Sequence, residues 1–189
     1  MAKKTVTITL SIEELLYELQ DKTYHLSLGK GDARAADRIQ NTHDEERLSL
    51  ARRFLHTAIA DAHAAISEFL PEGSVVNNNR LRPGGGDVVF SLTLPANYND
   101  GATDGLTAAI HRYIVDRALG EWLAVTDDTQ EARLPMAQAS IDMAEVKRLL
   151  LTRKRPDRRP SVKPGGGGDD EESDHLWHRI VNWVRSRAW

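Results

Sequence analysis

Apolar residues recur every three or four positions over one long, otherwise polar stretch, and this spacing constrains the fold most. The stretch opens with a capping box at Thr42-His43-Asp44-Glu45 and ends at Pro71-Glu72-Gly73. Residues three and four apart share one side of an α-helix. We therefore expect a helix over about 44–70, with a buried side formed by Leu48, Ala51, Leu55, Ile59, Ala62, Ile66 and Phe69.

Two later stretches repeat this spacing. A helix is expected from Asp104 to about Val125, with an inward stripe of Leu106, Ile110, Tyr113, Ile114, Ala118 and Trp122. A last core helix is expected from Gln130 to about Arg155. Pro135 either kinks this helix or lies in its first turn. Its inward candidates are Ala137, Ile141, Ala144 and Leu151.

Strict alternation predicts two strands. In Thr5–Leu10 the apolar face is Val6, Ile8 and Leu10, and Ser11-Ile12-Glu13-Glu14 then caps a helix that fades near Leu28-Gly29. Asp87–Leu94 alternates more clearly, and Pro83-Gly84-Gly85-Gly86 is a turn that would join it to Ser74–Arg82 as a β-hairpin. The N-terminal strand needs a pairing edge, which either the hairpin or a neighbouring copy would supply.

The predicted fold class is α+β and mostly α: three main helices with a β-hairpin, an N-terminal strand–helix arm, and a C-terminal amphipathic helix on a flexible linker. The expected boundaries are 1–41 for the arm and its loop, 42–156 for the helical core, 157–174 for the linker and 175–189 for the last helix. The linker holds four consecutive glycines followed by acidic residues.

Composition excludes several kinds of site. The chain has no cysteine, which rules out disulfides, zinc–thiolate centres and thiol nucleophiles. His175 and His178 would be a metal pair without a third ligand at a diagnostic spacing. His56 and His63 lie two turns apart on the long helix and are expected at the boundary between its buried and exposed sides. The glycine clusters do not open helices as phosphate loops do. We expect no catalytic site, no cofactor and no metal, and a soluble protein without a membrane span.

One segment is strongly basic although the net charge of the chain is only −3. It would contact DNA phosphates or an acidic protein surface, or else be a solvated helix end where cations suit the negative pole. The acidic residues at 169–174 would oppose it in the same chain. The basic residues are Arg153, Lys154, Arg155, Arg158, Arg159 and Lys163.

The C-terminal helix is the strongest candidate for a docking element. A helix of this length cannot bury its apolar face within itself. It would dock on a partner or neighbouring subunit, on its own core, or on a membrane surface. Together with Val6, Ile8 and Leu10, the predicted interface residues are Trp177, Ile180, Val181, Trp183 and Val184.

Three stretches carry a family resemblance: Asp87–Pro95, Ala108–Leu123 and Lys147–Pro156. The second contains Tyr113, Ala118, Leu119 and Trp122 in the arrangement Tyr-x-x-x-x-Ala-Leu-x-x-Trp, and the third is a helix with a basic end. Over about 44–156 the chain resembles head–tail connector (adaptor) proteins encoded by tailed phages and prophages of gut Bacteroidales. The hairpin between the helices and the long C-terminal tail depart from that plan.

The resemblance implies a structural virion protein of the phage neck. Such proteins form a homo-oligomeric ring between the portal and the tail, with DNA passing through a central channel. The implied partners are other copies of the chain and the portal and tail proteins, and the implied location is the virion, or the host cytoplasm during assembly. Two alternatives remain, a DNA-associated accessory protein using the basic 153–163 segment and an enzyme of unrecognised type.

Overall fold

The computed structural model describes residues 3–29, 45–71, 86–125 and 130–155. Within these ranges the fold is mostly helical α+β, as predicted. Its elements are β1 (Lys3–Leu10), α1 (Ile12–Gly29), α2 (Glu45–Ala65), β2 (Val88–Pro95), α3 (Thr103–Val125) and α4 (Arg133–Leu150). Short 3-10 turns at Ser67–Phe69 and Asp100–Ala102 follow α2 and precede α3.

The two strands form an antiparallel sheet in which Lys3 is opposite Pro95 and Leu10 is opposite Val88. One face of this sheet is buried, because period-two alternation brings the apolar residues of both strands to the same side. Its core pairs are Val6 with Leu92 and Ile8 with Phe90. The predicted hairpin partner, 74–82, lies outside the described residues, and the partner that the described residues show is β1.

Helix α3 is the centre of the structure. It contacts α1, α2, α4 and β1, and the whole predicted stripe from Leu106 to Trp122 is buried. The inward side predicted for the preceding helix is also correct in its main part: Leu55 and Ile66 are fully buried, and Ala51, Ile59 and Ala62 are nearly so. A helix that packs on several sides loses its polar face, which explains why α3 is apolar around most of its circumference.

Helix α4 begins at Arg133, so Pro135 lies in its first turn rather than at a kink. Proline is tolerated there because the first amides of a helix have no carbonyl partner within the helix. The amide of the preceding residue, Leu134, donates to the Glu131 carbonyl at 3.3 Å. After α4 the chain returns to the start of α3. The amide of Lys154 donates to the Asn97 carbonyl at 2.8 Å, and Arg153 forms an isolated β-bridge with Tyr98.

Candidate functional site

The predicted interface residues of the N-terminal strand lie in the core of their own chain. Val6 is 8% exposed, Ile8 2% and Leu10 4%, and all three pack in the cluster that includes Phe90 and Leu92. Of the two pairing partners left open for this strand, the hairpin and a neighbouring copy, the described residues show the first, through β2. The described residues of the arm predicted for 1–41, β1 and α1, share one hydrophobic core with the helices that follow.

The other five predicted interface residues, Trp177, Ile180, Val181, Trp183 and Val184, lie outside the described residues. So do Arg158, Arg159 and Lys163 of the basic segment, and His175 and His178. His56 and His63 are half-buried on α2, as expected for residues between its buried and exposed sides. The imidazole of His63 stacks on Phe90 with ring centroids 4.2 Å apart, and burial lowers its pKa below the usual 6.5.

The basic residues that the structure describes are engaged mainly with their own chain. The Arg153 guanidinium donates to the carbonyls of Leu150 and Thr152, at 3.0 and 3.4 Å, and so satisfies acceptors at the end of α4. Lys154 Nζ lies 3.2 Å from Asp100 Oδ2, and Lys4 contacts the same carboxylate. Hydrogen bonds from Lys4 and Lys154 hold the pKa of Asp100 below its usual value. Arg155 is exposed.

A cluster of charged side chains joins α1, α3 and α4. Lys22 is its centre: its ammonium lies 2.6 Å from Asp116 Oδ1 and 3.4 Å from Glu18 Oε1. Glu18 Oε2 also lies 2.6 Å from His111 Nε2. The geometry of this contact is not that of a hydrogen bond. We call these residues, with Arg112 and Asp142, the polar cluster.

Two of its carboxyl groups are buried. Asp116 is 6% exposed and Asp142 4%, and they approach from α3 and α4. Burial raises the pKa of Asp116; Lys22 opposes that shift and the Asp142 carboxylate reinforces it. Asp142 Oδ1 has distant donors in Gln138 and Arg112, at 3.4 and 3.5 Å, while Oδ2 has no hydrogen-bond donor. The raised pKa of Asp116 therefore reflects burial that Lys22 only partly offsets.

An open cleft of about 450 Å³ lies beside the polar cluster. It is lined by Glu18, Asp104, Thr107, Ala108, His111 and Arg112. The carboxylate of Glu18 already has Lys22 and His111 as neighbours, and Arg112 is directed toward Asp142. Two of the charges that line the cleft, Glu18 and Arg112, are thus paired with protein groups, an arrangement that ties the three helices together.

A second ion-pair group connects α2 to α3. Arg117 Nε lies 2.9 Å from Asp61 Oδ2, and its Nη2 lies 3.0 Å from Glu121 Oε1. Burial raises the pKa of Glu121 against the opposing effect of Arg117. The same guanidinium contacts Met136 Sδ at 3.0 Å, so it also reaches α4.

The largest departure from the sequence prediction is the orientation of α4. Its predicted inward residues are all exposed, with Ile141 at 61% and Leu151 at 58%, and Leu134 reaches 78%. The residues that face the core are instead Ala139, Asp142, Val146 and Leu150. The predictions for Ala137, Ile141, Ala144 and Leu151 are therefore wrong, and these residues form an apolar surface.

Among the described residues, no group of three or more histidine, aspartate and glutamate side chains is arranged to hold a metal ion. Within the same ranges, no helix combines the length and apolar character needed to cross a bilayer. Comparison of the chain with protein-family models, curated proteins and solved structures gives no significant match.

Proposed function

We propose that this chain is a structural virion protein of the phage neck, a head–tail connector that assembles with other copies of itself into a ring between portal and tail. The observation that carries the self-assembly is the exposed apolar surface of α4, where Leu134, Ile141 and Leu151 face solvent. Large exposed apolar side chains grouped on one element are characteristic of protein–protein contacts. The assignment to a phage neck depends on the resemblance carried by Asp87–Pro95, Ala108–Leu123 and Lys147–Pro156.

The polar cluster supports a structural role in this proposal. Lys22 is shared between Glu18 and Asp116, and Arg112 is close to Asp142, so these charges neutralise one another between helices. Arg153 and Lys154 likewise stabilise the end of α4. The core thereby presents a fixed α4 surface to other subunits, and the predicted docking segment 175–189 adds a second contact.

The test is the size and shape of the assembly. We expect the full-length chain to form closed rings of one stoichiometry, observed by size-exclusion chromatography with light scattering and by negative-stain electron microscopy. A chain ending at Pro156 should fold, with a cooperative thermal unfolding transition followed by circular dichroism, but assemble poorly. A full-length Trp177→Ser/Val184→Ser variant is the matched control for loss of the docking side chains alone. Equal assembly of all three proteins would contradict the role of the tail, and a monomeric full-length chain would contradict the proposal as a whole.

A further inference from the structure

Helix α4 carries apolar seams on two opposite sides. The inner seam is buried or half-buried and consists of Ala132, Met136, Ala139, Met143, Val146 and Leu150. The outer seam is exposed at every position and consists of five apolar residues, Leu134, Ala137, Ile141, Ala144 and Leu151, interrupted by the charged Arg148. Two residues turn a helix by about 200°, so Ala139 and Ile141 lie back to back. A helix that is apolar on two opposite sides is typically covered on both.

The spacing of the outer seam indicates that the element packed against it is another helix. Its members alternate three and four residues apart, which is the a/d repeat by which one helix packs along another. We propose that the outer seam binds the α4 helix of a second copy of this chain, antiparallel, with Ile141 of each copy facing Ala144 of the other. The inference deepens the proposed self-assembly and rests on it.

Side-chain size favours the antiparallel register. In that register Ile141 packs over an alanine, Ala137 makes room for Arg148 of the second copy, and Leu134 meets Leu151. Large residues thus face small ones or another leucine, as a well-filled seam requires. Along the edges, Gln138 lies beside Glu145 of the second copy and Ser140 beside Lys147.

Charge opposes the parallel register. Parallel pairing would place Arg148 directly against Arg148 of the second copy, an unfavourable like-charge contact. Antiparallel pairing separates the two arginines by about 16 Å along the helix axis. Each guanidinium is already held by Glu145 of its own chain, at 2.5 and 2.7 Å, so it can lie at the side of the seam.

The area of the seam predicts a weak contact. Helix α4 has 18 residues, so the outer seam is about 27 Å long at the usual rise per residue. With a width of about 10 Å, typical of a helix, it covers about 300 Å² per copy, well below the roughly 800 Å² per partner of a stable complex. The contact is symmetric and stops at two copies, so it joins subunits in pairs. The ring itself would be closed by another contact, for which the predicted docking segment 175–189 is the candidate. Pairing should therefore depend on concentration.

The absence of native cysteine allows a direct test by disulfide cross-linking. Ile141→Cys and Ala144→Cys chains, carrying tags of different mass, are mixed and oxidised. The antiparallel register brings Cys-substituted positions 141 and 144 of different chains together, so the mixed cross-link should dominate. It should form at least about tenfold faster than collisional cross-links of an Arg52→Cys control, which lies on the exposed surface of α2.

Two outcomes would overturn the inference: mixed cross-linking no faster than that of Arg52→Cys, or dominant same-variant cross-links, which would indicate a parallel register. A second measurement uses Ile141→Glu, which should fold because Ile141 is 61% exposed. In sedimentation velocity this variant should lose the concentration-dependent pairing that an Arg52→Glu control retains. If the wild type assembles and Ile141→Glu pairs as well as the wild type does, the seam inference fails, and the proposed self-assembly then depends on the docking segment 175–189 alone. A wild type that is monomeric at every concentration removes both.

Discussion

The contact between α3 and α4 can be tested with two glycines of α3 that differ in the space around them. A Cβ atom added at Gly120 would lie 2.7 Å from Met136 Cγ and 2.9 Å from its Sδ, closer than real contacts allow. A Cβ added at Gly105 would meet Leu149 Cδ1 at 3.8 Å, an ordinary van der Waals distance. Replacing a helical glycine by alanine stabilises a helix by about 0.5–1 kcal/mol when nothing is displaced.

Gly105→Ala should therefore raise the free energy of unfolding by about 0.5–1 kcal/mol. Gly120→Ala gains the same term but overpacks the inner seam, which typically costs about 1–3 kcal/mol. We expect a net loss of about 1–2 kcal/mol, because Met136 is also held by its contact with Arg117. Urea unfolding followed by circular dichroism measures both variants against the wild type.

Met136→Ala is the control background, since it removes the atoms that the new methyl group would strike. In that background, Gly120→Ala should become neutral or stabilising. If Gly120→Ala is as stable as Gly105→Ala in the wild-type background, α4 does not pack against α3 as described. The outward orientation of the outer seam would then be contradicted as well.

Three further predictions concern the charged groups. The pKa of Asp116 in the folded protein is raised above 3.8. The Asp116 carboxyl therefore stabilises the fold below pH 3.8, and this stabilisation is lost as the pH rises through the pKa of the folded state. The free energy of unfolding of Asp116→Asn, relative to wild type, should thus increase from pH 3.5 to pH 7 in urea titrations, and a constant difference would contradict the shift. Because the folded pKa of His63 is lowered below 6.5, wild type should lose stability relative to His63→Phe as pH falls from about 7.5 to 5; parallel pH profiles would contradict this. Arg153→Gln should lower stability by about 1 kcal/mol through loss of the α4 carbonyl contacts, whereas exposed Arg155→Gln should not. The DNA alternative predicts instead that both arginine variants weaken DNA binding at about 50 mM salt, which fluorescence anisotropy would detect.

The local elements could be predicted from sequence because their signals are local. The stripe from Leu106 to Trp122 and the alternation of Val88–Leu94 depend on residues within a few positions of one another. The partner of β1 could not be predicted in this way. Ile8 and Phe90 are adjacent in the sheet but lie far apart in the chain, and strand alternation shows which face is apolar without showing which strand covers it.

The inward face of helix α4 could not be predicted from sequence for a different reason. Both of its seams have helical spacing, so periodicity alone gave no reason to place Val146 inward and Ile141 outward. The deciding factor is tertiary: Gly120 on α3 leaves room for Met136, and the inner seam packs there. Asp142 also lies on the inward side of α4. From sequence, an aspartate there indicates an outward side, because a buried carboxylate needs partners from other helices.

The central claim is that a single copy does not complete this protein, because apolar surface on α4 requires another chain. Sedimentation equilibrium of the unmodified full-length chain over a wide concentration range tests the claim most directly. We predict masses that exceed that of one chain and approach a fixed multiple of it as concentration rises. A mass equal to one chain at every concentration would contradict the account.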